Sequence, residues 1–166
     1  LEDLPIILCD LPAITPKQVR KTLRTLEAKY EKVELVVLDY LQLADPDEKG
    51  DNRTQDVGGV SRGLKAIAKE FGVPFVAAAQ LSRAVETRTD KRPVLSDLRE
   101  SGSIENDADI VMFIYRPDQY EKETNKANIA EIIVAKHRNG PVGSVELIFR
   151  PALTKFENAT RMTFDK

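Results

Sequence analysis

The sequence predicts an α/β fold, built on a mostly parallel sheet with helices on both faces and completed by a C-terminal antiparallel hairpin. Short apolar segments rich in strand-forming residues alternate with amphipathic helical segments over the first half of the chain. This alternation is typical of parallel strands that helices bury on both sides. Two further apolar segments flank the turn sequence HRNGPVG, and this spacing predicts the hairpin.

The N-terminal part is predicted to contain two strands and one helix. Apolar segments at 5–9 and 33–38 have the length and composition of short buried strands. Between them, apolar residues recur every three or four positions over 16–30, which predicts an amphipathic helix. Thr15 is suited to the N-cap of this helix and Pro16 to its first position.

A second amphipathic helix is predicted over 54–71, followed by a third buried strand over 73–79. The first half of this helix contains Gly58, Gly59 and Gly63. Each glycine lowers helix stability by up to about 1 kcal/mol relative to alanine. We therefore expect this part of the helix to be bent or to be approached closely by another part of the backbone.

The C-terminal half is predicted to consist mainly of strands. A long polar segment, 81–100, precedes an apolar strand at 109–116 that we expect to be covered on both faces. The hairpin strands are predicted at 129–136 and 144–149, and a last short strand at 154–157.

Composition restricts the class of protein. The chain has 166 residues, enough for one domain with a core, and we predict a single domain over 1–166. With 42% hydrophobic and 31% charged residues, it has the composition of a soluble globular protein. No apolar run approaches the roughly 20 residues of a membrane helix. A net charge of −2 provides no general attraction for nucleic acid, so DNA binding would need a local basic patch.

The sparse cysteine and histidine content limits metal and disulfide chemistry. Cys9 is the one cysteine, so no internal disulfide forms, and we expect a small buried thiol in a reducing compartment. His137 is the one histidine, and without Cys/His clusters a zinc site is not predicted. The N-terminus has neither Met nor a basic region, so we expect a piece of a longer chain rather than a signal peptide.

Polar side chains directly follow three of the predicted strands, namely Asp10, Asp39 and Gln80. In open parallel sheets, ligands bind beyond the carboxyl ends of the strands, so we expect these side chains to converge. The stretch VVLDYLQL presents Asp39 as a Walker B carboxylate, which holds Mg²⁺, directly or through water, against nucleotide phosphates. A strand-end amide such as Gln80 is suited to sensing a γ-phosphate or the attacking water. Taken alone, both residues are more simply explained as ordinary polar positions at strand ends.

A P-loop nucleoside triphosphatase also needs the phosphate-binding sequence G-x-x-x-x-G-K-[ST]. None of the eight glycines is followed by Lys and then Ser or Thr. Either the chain is not a nucleoside triphosphatase, or the missing sequence lies upstream of Leu1. The abrupt N-terminus favours the second explanation.

Five stretches in order resemble one protein family: VVLDYLQL, DNRT, GLKAIAKEFGVPFVAAAQLSR, DKRPVLSDLRESGSIENDADIVMFIYR and AEIIVAKHRNGPVGSVELIF. They are similar to the C-terminal RecA-like motor of the DnaB-type bacterial replicative DNA helicases, from about residue 3 to 158. The resemblance implies a RecA-like P-loop core, here a partial domain running from the Walker B strand to the C-terminal hairpin.

The resemblance also implies an activity and its partners. The family forms ring-shaped homo-hexamers that use ATP and Mg²⁺ to translocate on single-stranded DNA and unwind the duplex at the replication fork. Primase and a helicase loader are expected to bind through parts absent from this chain. A cytoplasmic, nucleoid-associated location without membrane contact is implied.

The family's nucleotide-site residues transfer to four positions. By resemblance, Asp39 is the Walker B carboxylate that holds Mg²⁺ through water, and Gln80 is the polar sensor. The sequence KHRNG matches a hairpin that reaches into the neighbouring subunit's ATP site, with Arg138 as the arginine finger and Lys136 as a second cation beside the γ-phosphate. Without the resemblance, Arg138 would be interpreted as a solvated charge in a turn.

The sequence SDLRESG matches the family's DNA-binding loop, in which an Arg, a Glu and a Gly contact the DNA backbone. These are Arg99, Glu100 and Gly102 here. Glu100 would act through its main-chain N–H, because amides in a tight turn form an anion-binding concavity. Asp109 and the other acidic residues after the loop are interpreted as solvent-exposed residues of a turn that leads into the next strand.

Two alternatives stay open: a RecA-type recombinase ATPase, and a truncated non-enzymatic module that binds DNA or partner subunits. The Walker A lysine and the family's catalytic glutamate are absent from this sequence. We therefore expect no ATPase activity from the chain alone, and helicase activity only from the parent protein.

Overall fold

A computed structural model describes residues 4–30, 32–101, 104–120 and 126–159, and of residues 99–101 it describes the backbone alone. The described residues form two compact units. The first contains residues up to Gln80 together with the short helix at 104–107, and the second contains residues 81–100 and those from Ala108 onward. The prediction of a single domain over 1–166 stays a prediction.

The described elements alternate helix and strand in the first unit and are mainly strands in the second. The α-helices are α1 (Pro16–Lys29), α2 (Arg53–Phe71), α3 (Ala84–Thr87) and α4 (Ile104–Asp107). The strands are β1 (Val36–Leu38), β2 (Phe75–Ala77), β3 (Ile110–Tyr115), β4 (Ile129–His137), β5 (Gly143–Arg150) and β6 (Lys155–Asn158). Short 3₁₀ helices span Leu41–Leu43, Leu95–Ser101, Pro117–Gln119 and Pro151–Leu153.

The first unit packs α1 and α2 against one side of a two-stranded parallel sheet. β1 and β2 pair in register, with Val37 opposite Val76. The core is the set of buried apolar side chains Val19, Leu23, Leu41, Ala44, Val57, Val60, Leu64 and Ile67. Because α2 supplies four of these side chains, it is the central element of the unit.

The helix boundaries agree with the caps that the sequence predicts. Thr15 accepts a hydrogen bond from the backbone N–H of Gln18, and the Gln18 side chain accepts one from the backbone N–H of Thr15. This reciprocal pair is a capping box, which satisfies two N–H groups at the start of α1. At the end of α2, Gly72 has a positive φ of 62°, a conformation that glycine adopts without steric cost.

Gly63 explains one irregularity of the α2 sequence. A Cβ atom at Gly63 would lie 2.7 Å from both Cβ and Cγ of Pro16, so the glycine allows α1 and α2 to approach closely. The expected close approach of another backbone is not what Gly63 shows, because the atoms near it belong to the Pro16 side chain.

The second unit contains a four-stranded antiparallel sheet in the order β3-β4-β5-β6. β4 and β5 pair antiparallel, which confirms the predicted hairpin, and the last short strand is also confirmed as β6. A register irregularity occurs between Val111 and Met112 of β3, opposite the end of β4.

The N-terminal segment differs from its prediction. Residues 5–9 form no strand, and they are exposed, with Leu8 at 88%. Cys9 is exposed as well, so the predicted buried thiol is wrong. A strand needs a hydrogen-bonded neighbour, and β1 pairs only with β2 among the described strands. Asp10 consequently does not lie at the end of a strand.

The apolar strands are covered on one face within the described residues, not on both. In β3, Val111 and Phe113 are buried, whereas Ile110, Met112 and Ile114 are about half exposed. Parallel pairing is confined to β1 and β2, because every described strand of the second unit is joined by antiparallel pairing. Among the described helices, none is both long and apolar enough to cross a membrane.

Candidate functional site

Asp39 and Gln80 follow the two paired strands of the first unit. Beyond the last register pair, the N–H of Ala78 donates to the carbonyl of Leu38 at 2.9 Å, and the N–H of Leu41 donates to the carbonyl of Ala78 at 2.8 Å. These bonds continue the pairing past the strand ends. Asp39 is therefore held beside the backbone of residue 78, and its side chain is exposed to solvent.

Gln42, which the sequence analysis did not single out, fixes the backbone of Gln80. The side-chain amide of Gln42 donates to the carbonyl of Gln80, and its side-chain oxygen accepts from the N–H of Gln80, both at 3.1 Å. The guanidinium of Arg53 in turn donates to the carbonyl of Gln42. Gln42 thus makes the contacts of a strand neighbour where regular pairing has ended. Its place three residues after the strand-end aspartate is the signal that could have found it.

The single carboxylate of Asp39 is suited to binding Mg²⁺ together with water and nucleotide phosphates. Among the described residues, no group of three or more His, Cys, Asp or Glu side chains could form a metal cage. Mg²⁺ commonly binds through one or two carboxylates, several waters and substrate phosphates instead. An exposed strand-end carboxylate such as Asp39 fits that arrangement, because its oxygens are open to water and to a phosphate-bound ion.

In the second unit, Lys136 lies near the end of β4, and Arg138 directly follows that strand at the start of the turn to β5. The backbone N–H of Arg138 donates to the carbonyl of Asp109 at 2.9 Å, and its guanidinium lies 3.1 Å from the Asp109 carboxylate. The sequence predicts that Asp109 is a solvent-exposed residue just before a strand. Its side chain is 55% exposed, and it also forms an ion pair with Arg138. Lys136 is opposite Val111 of β3 and is half-buried.

The turn itself is tightly packed around His137. Nδ1 of His137 lies 3.3 Å from the carbonyl oxygen of Pro141. A Cβ atom at Gly140 would lie 2.3 Å from Cε1 of the His137 ring, so only glycine fits this position without movement of the ring. The backbone bond to Asp109 therefore fixes Arg138 at the start of the turn, and the His137 ring lies close to Gly140 within the same turn.

The predicted DNA contacts lie at the end of the 3₁₀ helix Leu95–Ser101. The backbone of Arg99 and Glu100 belongs to this helix, while their side chains and the whole of Gly102 lie outside the described residues. Immediately before them, Asp97 and Leu98 are 4% and 5% exposed, so the helix is anchored by its buried first half.

The structure therefore brings the predicted residues together in two groups within separate units. Asp39 and Gln80 share one sheet end in the first unit, and Lys136 and Arg138 share one hairpin in the second. The assignment of a catalytic, metal-binding or DNA-binding role to any of them stays a prediction at this point.

Known proteins match nearly the whole chain. The family model described as DnaB-like helicase C terminal domain matches residues 1–158. The Replicative DNA helicase DnaC of Bacillus subtilis is 50% identical over 162 residues, covering 97% of this chain and 36% of that protein. The Replicative DNA helicase DnaB of Rickettsia prowazekii is 44% identical over 182 residues, covering 99% of this chain and 37% of that protein.

Solved structures agree with these sequence matches. One ATPase domain of known structure matches with a TM-score of 0.85 and 46% identity, over 89% of this chain and 52% of that chain. A DnaB-like replicative helicase, solved for its interactions with primase, matches with the same TM-score and identity over 36% of its own length. The chain thus spans little more than a third of the replicative helicases it matches. It belongs to the family of DnaB-like helicase C-terminal domains.

Proposed function

We propose that this chain is part of the RecA-like motor of a replicative DNA helicase, which hydrolyses ATP to move along single-stranded DNA and unwind the duplex. The observation that carries the proposal is the pair of strand ends in the first unit. There Asp39 and Gln80 follow two hydrogen-bonded parallel strands, and Gln42 bonds the backbone of Gln80 in both directions. Polar groups at the carboxyl ends of neighbouring parallel strands are the common way to build a ligand site in an α/β fold.

In this proposal Asp39 holds Mg²⁺ through water while Gln80 contacts the γ-phosphate or the attacking water. The metal supplies charge neutralisation on the phosphates when it is bound. Asp39 would accept hydrogen bonds from water bound to the ion, and the Gln80 amide would donate or accept one hydrogen bond at the reacting end of the nucleotide. Gln42 and Arg53 support this geometry, because they fix the backbone that carries Gln80.

We propose that Arg138 acts as an arginine finger and Lys136 as a second cation, both directed at the ATP site of a neighbouring subunit in a homo-hexamer. The support is their common position at one hairpin, whose turn is held by the bond to Asp109. A guanidinium neutralises charge that develops on the transferred phosphoryl group, which in other nucleoside triphosphatases accelerates turnover by about 10³–10⁵.

For DNA, we propose that Arg99, Glu100 and Gly102 contact the backbone of the single strand. Arg99 would pair with a phosphate, and Glu100 and Gly102 would present main-chain N–H groups. The net charge of −2 makes such a local contact necessary, since the chain as a whole has no attraction for DNA.

The finer architecture and the partners are part of the same proposal. The match covers 52% of the solved ATPase domain described above, so about half of such a domain lies outside it. We propose that those parts add the Walker A loop and further strands, giving a mostly parallel sheet with helices on both faces. Primase and a loader would bind the parent helicase through such parts, in the cytoplasm at the nucleoid. A RecA-type recombinase gains no support from the two relatives reported above, both of which are replicative helicases.

The test is DNA-stimulated ATP hydrolysis by the full-length helicase that contains this sequence. We expect Asp39→Ala to abolish Mg²⁺-dependent turnover. Asp10→Ala is the matched control, because Asp10 is an exposed aspartate that follows no strand in this structure. Normal turnover in the Asp39 variant would contradict the metal assignment.

DNA binding is tested separately with Arg99→Ala and a fluorescent oligo-deoxythymidine. Loss of one phosphate contact should weaken binding and lower the steepness of its salt dependence by about 0.7 in the log–log slope. An unchanged affinity and slope would count against the loop assignment. The 166-residue chain alone should hydrolyse no ATP, and measurable turnover by it would show that the second half of the nucleotide site is not needed.

A further inference from the structure

Two arginine–carboxylate pairs organise the segment that precedes the proposed DNA-binding residues. In the first, both terminal nitrogens of Arg88 donate to the carboxylate of Asp97 at 2.9 Å. The same guanidinium also donates to the carbonyl of Arg92 at 2.8 Å and to that of Asp90 at 3.2 Å. Arg88 therefore closes residues 88–97 into one compact loop through these hydrogen bonds.

In the second pair, Arg92 joins this loop to the sheet. Its two terminal nitrogens donate to the two carboxylate oxygens of Glu131, at 2.7 and 2.5 Å. Glu131 belongs to β4, and its side chain is 8% exposed. The guanidinium of Arg92 also lies 5.5 Å from the ring centroid of Tyr115 at the end of β3. Parallel bonds between a guanidinium and a carboxylate fix both distance and orientation, which one ammonium group cannot do.

In both pairs the carboxylate is buried, whereas the arginine is partly exposed. Burial by itself raises the pKa of Glu131, yet the hydrogen bonds from Arg92 and Ser144 outweigh it, and the net pKa is lowered. Asp97 is 4% exposed and accepts a further bond from the N–H of Val94 at 2.8 Å. A buried carboxylate that lost its arginine would keep only a hydrogen bond from a neutral donor and no opposite charge, so each pair constrains the local conformation.

The clamped segment leads directly into the proposed DNA contact. Asp97 lies in the first half of the 3₁₀ helix Leu95–Ser101, and its carbonyl accepts from the N–H of Ser82 at 2.9 Å. Leu98 is buried beside it. Arg99 and Glu100 come next in the same short helix. The position of their backbone is therefore determined by residues that are themselves held by Arg88 and, through the loop, by Arg92.

We propose that Arg92 and Glu131, assisted by Arg88 and Asp97, are positioning residues that hold the 3₁₀ helix Leu95–Ser101 in place for contact with the single-stranded DNA backbone. The inference rests on the proposed function of that helix. It assigns a role to four charged residues that would not themselves contact DNA. Because Glu131 lies on the strand that ends at His137, the clamp also attaches the DNA-contacting helix to the strand that carries the proposed nucleotide-site hairpin.

One competing explanation is that Arg92 itself binds a phosphate. The two explanations differ in the sign of one effect. If Arg92 contacted DNA, removing the negative charge of Glu131 would free the guanidinium and strengthen binding. If Arg92 positions the loop, the same change breaks the clamp and weakens binding. Glu131→Gln preserves the shape of the side chain and is therefore the decisive variant.

The experiment measures affinity of the full-length helicase for oligo-deoxythymidine over a salt series, with Arg92→Ala, Arg92→Lys and Glu131→Gln. Arg150→Ala is the matched control, because Arg150 pairs with Glu157 in the same unit but has a side chain that is 58% exposed. Thermal unfolding of each variant identifies any that fail to fold. Arg92→Lys keeps the charge and loses the two-point geometry, so it remains informative if Arg92→Ala is unstable.

We expect Arg92→Ala to weaken DNA binding about tenfold or more, since a displacement of about 1 Å is enough to disrupt a positioned site. Arg92→Lys and Glu131→Gln should both weaken binding by a smaller factor, and Arg150→Ala should leave it unchanged. Stronger binding by Glu131→Gln, or unchanged binding by Arg92→Ala while Arg99→Ala is impaired, would overturn the clamp. Unchanged binding by Arg99→Ala as well would overturn the DNA contact itself, and the clamp with it.

Discussion

Substituting alanine for two glycines of α2 should affect its stability differently. Gly59 and Gly63 lie one helical turn apart, and either change to alanine gains up to about 1 kcal/mol in helix propensity. A Cβ at Gly59 meets only Cβ of Pro46, at 3.6 Å, which is ordinary van der Waals contact. A Cβ at Gly63 meets two carbons of the rigid Pro16 ring at 2.7 Å.

The difference between the two variants isolates the cost of that close approach, because the propensity gain is common to both. Forcing an extra methyl group into a packed contact costs about 1–3 kcal/mol. We therefore expect Gly59→Ala to stabilise α2 by up to about 1 kcal/mol and Gly63→Ala to be less stable than Gly59→Ala by about 1–3 kcal/mol.

Hydrogen exchange of the α2 amides in the 166-residue chain is the appropriate measurement, since it reports on this helix and not on the second unit. Urea unfolding followed by circular dichroism provides a second estimate. If Gly63→Ala stabilises α2 as much as Gly59→Ala, the packing of α1 on α2 does not depend on the glycine, and the reasoning fails.

Three further predictions concern the second unit. In the full-length helicase, Arg138→Ala should abolish ATP turnover while nucleotide binding, measured by equilibrium dialysis, stays largely intact; ordinary turnover would contradict the arginine-finger assignment. Gly140→Ala forces the His137 ring aside and should reduce turnover by about 10²-fold if the hairpin positions Arg138, and a rate equal to the parent's would contradict this. Because the pKa of Glu131 is lowered from 4.5 in the folded state, its contribution to stability is present above pH 4.5 and is lost as pH falls through the lower folded pKa. Thermal unfolding of the full-length helicase is therefore compared between about pH 6 and pH 3. Over this range Glu131→Gln should lose less stability than the unsubstituted protein. Equal losses would show that ionisation of Glu131 does not contribute to stability.

The local elements were predictable because their signals are local. The N-cap of α1 lies in the sequence itself, where Thr15 and Gln18 satisfy each other's backbone groups. The β4–β5 hairpin follows from two apolar segments of matching length around one short turn. In both cases, the energetic terms involve residues that are near one another in the chain, so the sequence contains the information needed.

Strand burial was less predictable, because it depends on what lies above each face. The apolar sequence of residues 110–114 suggested two covered faces, yet the structure covers only the side of Val111 and Phe113. Residues 5–9 are equally apolar but have no strand to pair with among the described residues. Composition indicates that a segment favours burial, but it does not supply the partner.

In the candidate site too, some residues could be predicted from the sequence and others could not. Asp39 and Gln80 were proposed because each directly follows an apolar segment of the sequence. The supporting contacts were not, since Gln42 reaches Gln80 and Arg92 reaches Glu131 across 38 and 39 residues of sequence. The family resemblance pointed to the residues proposed to touch ligands, whereas the residues that hold them in place became visible only in three dimensions.

The ion pair between Arg138 and Asp109 is one that the proposed arginine finger could leave at little cost in free energy. Both side chains are about half exposed, and such surface pairs contribute only about 0–1 kcal/mol. On the proposed function, the arginine would exchange a weakly bound carboxylate for a nucleotide phosphate, so release costs little. The backbone bond between the same two residues does not involve the guanidinium and would survive the exchange. Asp109 would then serve as a temporary partner from which the arginine departs without disturbing the turn that carries it.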